Sequence, residues 1–149
     1  MKPIQHVAEI TVSYKPEVRS NPLIESSIDA YREIKDFFPE ELIHLQEMFV
    51  VMYLNRANRI IGVYRMSLGG ITGTVADPRI ILGTALKVAA TGIILAHNHP
   101  SGNLKPSRAD ELLTNKIKQG ALFMDIQVSD HLILSSIEGY YSFADEGLI

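Results

Sequence analysis

Two histidines, His97 and His99, stand two residues apart, and a carboxylate, Asp110, follows eleven residues after the second. These are three ligands of the kind zinc accepts. In extended chain, side chains at i and i+2 share one side, so His97 and His99 face together and Asn98 faces away. The segment before them, Gly92-Ile93-Ile94-Leu95-Ala96, reads as a buried strand. The histidines therefore sit where a strand leaves the core, a common place for chemistry in α/β domains. Pro100 then turns the chain into a loop. Asp110 falls in the first turn of the next helix, so the loop can fold it back toward the histidines. Three protein ligands leave an open tetrahedral position for water, as in catalytic rather than structural zinc sites. Water held that way has a pKa near ~7 in favourable cases.

Each residue also has a plainer reading. The histidines could belong to a polar loop that caps a strand end. Ser107 and Asp110 fit a Ser-x-x-Asp capping box, which needs no metal. The two readings can coexist, because a carboxylate has two oxygens. Glu47 opens an apolar strand, where a glutamate is usually just solvated. His131 follows Asp130 near a strand end. It reads as a partner orienting a ligand, as a substrate contact, or as a partly buried histidine with its hydrogen bonds satisfied, the last preferred. His6 and His44 have no partner spacing and read as surface residues. The contiguous His-Asn-His string is not the nuclease signature of the same letters, whose residues are spread along the chain.

The elements that must position these residues are legible in outline. Residues 1–25 read as an extended arm with a possible edge strand over 4–12, interrupted by Pro16 and Pro22. Ser26-Ser27 offers an N-cap, and Ile28, Tyr31, Ile34 and Phe38 at helical spacing predict a helix that Pro39 stops near Phe38. Residues 47–54 and 60–66 predict a hairpin around the polar turn 55–59. Residues 67–74 are Gly-rich and predict a loop or broken strand. Asp77-Pro78 predicts a helix start, running to about Ala90. A further helix opens at Pro106-Ser107, with Leu113 and Ile117 inside and Gly120 as its stop. Val128 and residues 132–134 lie in strands, residues 136–139 form a turn, and 140–143 extend again. Interleaved helices and strands predict an α/β domain, a mixed sheet flanked by helices.

Composition narrows the function classes. A chain of 149 residues has room for one domain with a core. Its net charge of −3 and the absence of a Lys/Arg run argue against strong nonspecific nucleic-acid binding. There is no cysteine, so disulfides and thiolate metal sites are excluded, and zinc would need His, Asp or Glu. Apolar runs fall far short of a membrane span, and the N-terminus lacks a signal-peptide core, so a cytoplasmic protein is expected.

Joined together, these residues resemble a known pattern. Glu47 at the head of an apolar strand, His97-Asn98-His99-Pro100, Ser107 after seven intervening residues and Asp110 three later resemble the JAMM motif of the JAB/MPN metalloprotease superfamily. His-Asn-His-Pro-Ser-Gly, with Pro106-Ser107-Arg108-Ala109-Asp110 after it, is similar to the RadC family in particular. Asp130-His131-Leu132-Ile133 and Tyr141-Ser142-Phe143-Ala144-Asp145-Glu146-Gly147 match its C-terminal part. The resemblance covers roughly residues 26–149, leaving 1–25 as the arm.

The resemblance implies that His97, His99 and Asp110 hold Zn2+, that Glu47 is the general base for zinc-bound water, and that Ser107 hydrogen-bonds the developing oxyanion or positions the water. It implies amide, peptide or isopeptide hydrolysis on a fold similar to the cytidine deaminases. Longer RadC-like proteins carry an N-terminal helix-hairpin-helix region, which residues 1–25 do not resemble. Association with DNA repair comes with the family and finds no support in the charge. The competing expectation is an interaction or DNA-processing module using the fold as scaffold. A nucleobase deaminase is more remote, since zinc deaminases use cysteine ligands. A homo-oligomer is possible through the N-terminal edge strand.

Overall fold

The computed structural model describes residues 6–16, 21–69, 76–137 and 139–149. One mixed sheet carries five strands in the order β2-β1-β3-β4-β5. β1 (Met48–Leu54) and β2 (Ile60–Leu68) form the expected antiparallel hairpin. Its turn is held by Asn55 Oδ1, which accepts from the backbone N–H of Ala57 and of Arg59. β3 (Gly92–Asn98) lies antiparallel to β1 and parallel to β4 (Gln127–Ser135), and β5 (Gly139–Ser142) closes the other edge.

β1 and β3 are buried along their whole length, which is why they read as unbroken apolar runs rather than alternating ones. One face packs Val50, Met52, Ile94, Ala96 and Leu132 against α1 (Ser27–Ile34) and α2 (Glu40–Ile43). The other packs Phe49, Val51, Tyr53, Ile93 and Leu95 against α3 (Pro78–Lys87) and α4 (Arg108–Leu122). The sheet is thus flanked by helices on both faces, as expected of a mixed α/β domain. No helix among the described residues is long and apolar enough to cross a membrane.

Several boundaries differ from the sequence reading. The first helix is α-helical only to Ile34 and tightens to a 3-10 turn over Lys35–Phe37. Pro39 then starts rather than merely stops a helix: it is the N-cap of α2, whose four residues are too few to show a period. β2 runs on to Leu68, two residues past the expected end. α3 ends at Lys87, and Ala89 beyond it takes a left-handed φ of 56°. Gly120 is not a helix stop but lies inside α4, where a Cβ would come within 3.0 Å of Leu82 Cδ1. Its bareness lets α3 and α4 approach closely.

The described part of the expected N-terminal edge strand, residues 6–12, forms no strand. The outer edge of β2 is met instead by Pro22, whose carbonyl accepts the Ile60 N–H, and by Ile24, whose N–H donates to Asn58. Tyr14 adds a hydroxyl bond to the Ile61 carbonyl. The expected loop over 70–74 lies outside the described residues.

The fold brings three element ends to one edge of the sheet, the one formed by strand ends rather than by an outer strand: the exit of β3, the entry of β1, where Phe49 pairs with His97, and the start of α4.

Candidate metal centre

At that edge His97, His99 and Asp110 each offer one ligand atom, all within 4.8 Å of one another. The Nε2 atoms of His97 and His99 are 3.0 Å apart. Asp110 Oδ1 is 3.3 Å from His97 Nε2, and Oδ2 is 3.2 Å from His99 Nε2. The extended end of β3 puts both imidazoles on the α4 face, as the i, i+2 spacing predicts. Gly102, at a φ of 85°, then turns the loop so that the Asn103 carbonyl meets His99 Nδ1 at 2.6 Å.

The capping reading of Ser107 and Asp110 is also realised. Ser107 Oγ accepts the Asp110 N–H at 3.0 Å, and Asp110 Oδ2 accepts the Ser107 N–H at 2.8 Å. The box locks the Asp110 rotamer at the mouth of α4 and leaves its Oδ1 facing His97. Glu47 stands just outside the three donors, its Oε1 4.0 Å from His97 Nε2, with its side chain mostly covered.

A chain of hydrogen bonds behind His97 decides where its proton sits. The Thr114 hydroxyl donates to the Asp110 carbonyl at 2.7 Å, so its oxygen is left to accept from His131 Nδ1 at 2.6 Å. His131 Nε2, 2.7 Å from His97 Nδ1, is then a lone pair and requires a proton on His97 Nδ1. The Asn103 carbonyl likewise requires the proton of His99 on Nδ1. With both rings neutral, the two Nε2 lone pairs therefore point at each other and at a carboxylate, a place that a cation, or in its absence a proton bonded to Asp110, would fill. Three electron-rich atoms directed at one point fit a cation, and the donor set could hold a metal ion.

His131 is fully buried, not partly buried as the sequence reading preferred. Its ring stacks on Phe143 at 4.7 Å and meets Phe49 edge-on. Its hydrogen bonds are satisfied, and one of them is to a candidate ligand, so two of the three sequence-derived readings merge. It shares a face with Val128 because Ile93 pairs with Val128 and Ile94 with Asp130, a bulge that leaves Ser129 over and reverses the alternation. His44, read as a surface residue, lies beside the Ser136 hydroxyl. Thr114 escaped the sequence reading, although its place one helical turn after Asp110 was a usable signal.

The electrostatics follow from this packing. Burial pushes the Glu47 carboxyl up, against the opposing pull of His97 and His99. Burial also opposes ionising Asp110, but hydrogen bonds with His97 and His99 hold it well below the usual carboxylate range. The Asp110 hydrogen bond raises His99. Burial drives His131 well below the usual imidazole range, in keeping with its role as a neutral acceptor.

A family model described as RadC-like JAB domain matches residues 25–148. A UPF0758 protein of Flavobacterium johnsoniae is 45% identical over 125 residues, covering 84% of this chain and 53% of the relative. One of Porphyromonas gingivalis is 38% identical over 151 residues, covering 99% and 65%. One of Haemophilus influenzae is 40% identical over 148 residues, covering 98% and 65%. The chain spans between 53% and 65% of the length of these relatives.

Proposed function

The chain belongs to the RadC-like JAB domain family, and from that premise we propose that it is a zinc-dependent hydrolase of amide bonds, in a peptide or isopeptide substrate. The observation that carries this reading is the convergence of two Nε2 lone pairs and the Asp110 carboxylate on one point. Ligand distances of about 2.0–2.1 Å give a zinc tetrahedron edges of about 3.3 Å. The separations of 3.0 and 3.3 Å are compatible with an ion of that size.

His97, His99 and Asp110 would hold the ion, which supplies Lewis acidity toward the scissile carbonyl and the attacking water. Glu47 would accept a proton from the attacking water as the water oxygen bonds to the carbonyl carbon. Its Oε1, 4.0 Å from His97 Nε2 and mostly covered, stands where a base beside the donor atoms must stand. Glu47 then returns the proton to the leaving nitrogen as the C–N bond breaks. Ser107, whose oxygen already accepts the Asp110 N–H, keeps its hydroxyl hydrogen to donate to the developing oxyanion.

The test joins metal content to cleavage of a panel of peptide- and isopeptide-linked substrates. Near-stoichiometric zinc is expected, lost in His97→Ala. Glu47→Gln is expected to keep the metal and lose cleavage. Protein purified from zinc-replete medium without bound metal would sink the proposal.

A further inference from the structure

Asn98 lies between the two histidines and points the opposite way, into the α1/α2 side of the sheet, with no exposed surface. Its amide is fully engaged. Oδ1 accepts the Met48 N–H at 2.7 Å. Nδ2 donates to the carbonyls of Ile43 and Gln46 at 2.9 Å each. Two of these groups, on Ile43 and Met48, bracket residues 44–47, the connection between α2 and β1, and the third, on Gln46, lies within it. Two of them, the Gln46 carbonyl and the Met48 N–H, flank Glu47 directly.

The sheet ladder alone does not hold Glu47 against β3. The last β1–β3 pair on this side is Phe49 with His97, two residues short of it. From the β2 side, the Glu47 carbonyl accepts the Gly69 N–H at 2.8 Å. On the β3 side the described hold on the residues flanking Glu47 is the Asn98 amide. An asparagine suits the place because it combines one acceptor with a two-hydrogen donor in a short, planar head. An aspartate of the same shape keeps the acceptor but cannot make both donor bonds. A longer glutamine would displace the loop.

We propose that Asn98 is a positioning residue whose amide sets the carboxylate of Glu47 against His97 and His99. The tripeptide His97-Asn98-His99 then uses both faces of one strand end: the donor atoms on one, the clamp on the base on the other. The inference rests on the reading of Glu47 as the base.

The test uses the full chain loaded with cobalt(II) and labelled with 13C at glutamate carboxyls. The Glu47 resonance is assigned by its disappearance in Glu47→Gln. Paramagnetic relaxation falls with the inverse sixth power of distance from the ion, so it reports where the carboxylate sits. In the wild type the Glu47 signal is expected to be strongly relaxed. In Asn98→Ala its relaxation is expected to fall several-fold while cobalt affinity is unchanged. The isosteric Asn98→Asp, which preserves volume if the alanine variant fails to fold, should show the same effect. Ile34→Ala, a core truncation in α1, controls for lost stability and should leave the Glu47 signal alone.

Undiminished relaxation in a folded Asn98 variant overturns the inference, as does loss of cobalt affinity, which would place Asn98 in support of the ligands instead. A weakly relaxed Glu47 in the wild type fails the reading of Glu47 as base. The two failures are therefore distinguishable.

Discussion

His97 is held by more than its place on β3. Its Nδ1 proton is committed to His131, and His131 is committed through Thr114 to the backbone of the turn that carries Asp110. Two candidate ligands are thus tied together behind the site. Partners of this kind typically change metal affinity by about 10–100-fold. His131→Ala and Thr114→Val are therefore expected to weaken zinc binding by roughly that range, read by competition with a chelator of known affinity. Affinity equal to wild type in both variants would show the relay to be packing alone.

The pH dependence of metal uptake has a definite sign. The hydrogen bond to Asp110 raises His99, so in metal-free protein, below that raised pKa, a proton holds the nitrogen a cation needs. Zinc must displace it. Affinity is expected to rise with pH until the medium passes the raised pKa of His99 and then to level off. Calorimetry in buffers of different ionisation enthalpy would count the protons released, and zero release below neutrality would contradict the argument.

At the scale of elements, the site depends on how β1, β3, α3 and α4 are fastened. The buried Tyr53 hydroxyl of β1 donates to the Ile81 carbonyl of α3 at 2.8 Å. Burial pushes its pKa above the ordinary tyrosine value. The phenol is therefore harder to ionise folded than unfolded. Its contribution is fully present below about pH 10 and is lost as pH rises toward the folded pKa. Urea unfolding at mildly and strongly alkaline pH should show the wild type losing more stability than Tyr53→Phe. Gly120→Val should wedge α4 from Leu82 of α3, at a cost of about 1–3 kcal/mol. Chemical denaturation would measure it, and a stabilised variant would mean that Leu82 yields freely.

For the whole molecule, a bound ion would link the end of β3 to the start of α4 directly, beside apolar packing and the relay through His131 and Thr114. An ion that binds only the folded state at 100 times its Kd adds about 2.7 kcal/mol. Zinc should therefore raise the thermal midpoint, EDTA should reverse the gain, and Asp110→Ala should abolish it. An equal zinc effect in Asp110→Ala would place the binding elsewhere.

Much of this was legible in the chain itself. Alternation in a strand made His97 and His99 face together, and Ser107-x-x-Asp110 announced the helix start and a capping box compatible with ligation. The continuous apolar runs over 47–54 and 92–96 announced strands, the second of them buried. These features are local: backbone geometry fixes them within a few residues.

The tertiary structure alone decided which distant groups meet. Asn98 reaches a loop 50 residues upstream, and His131 meets His97 across 34 residues, on that face only because a bulge at Ser129 reverses the alternation. A one-residue shift in register exchanges the two faces of a strand and leaves almost no trace in periodicity. For that reason the sequence offered candidate donors in His97, His99 and Asp110 and, through the resemblance, a candidate base in Glu47, while the order of strands, one bulge and a buried amide bring these side chains together.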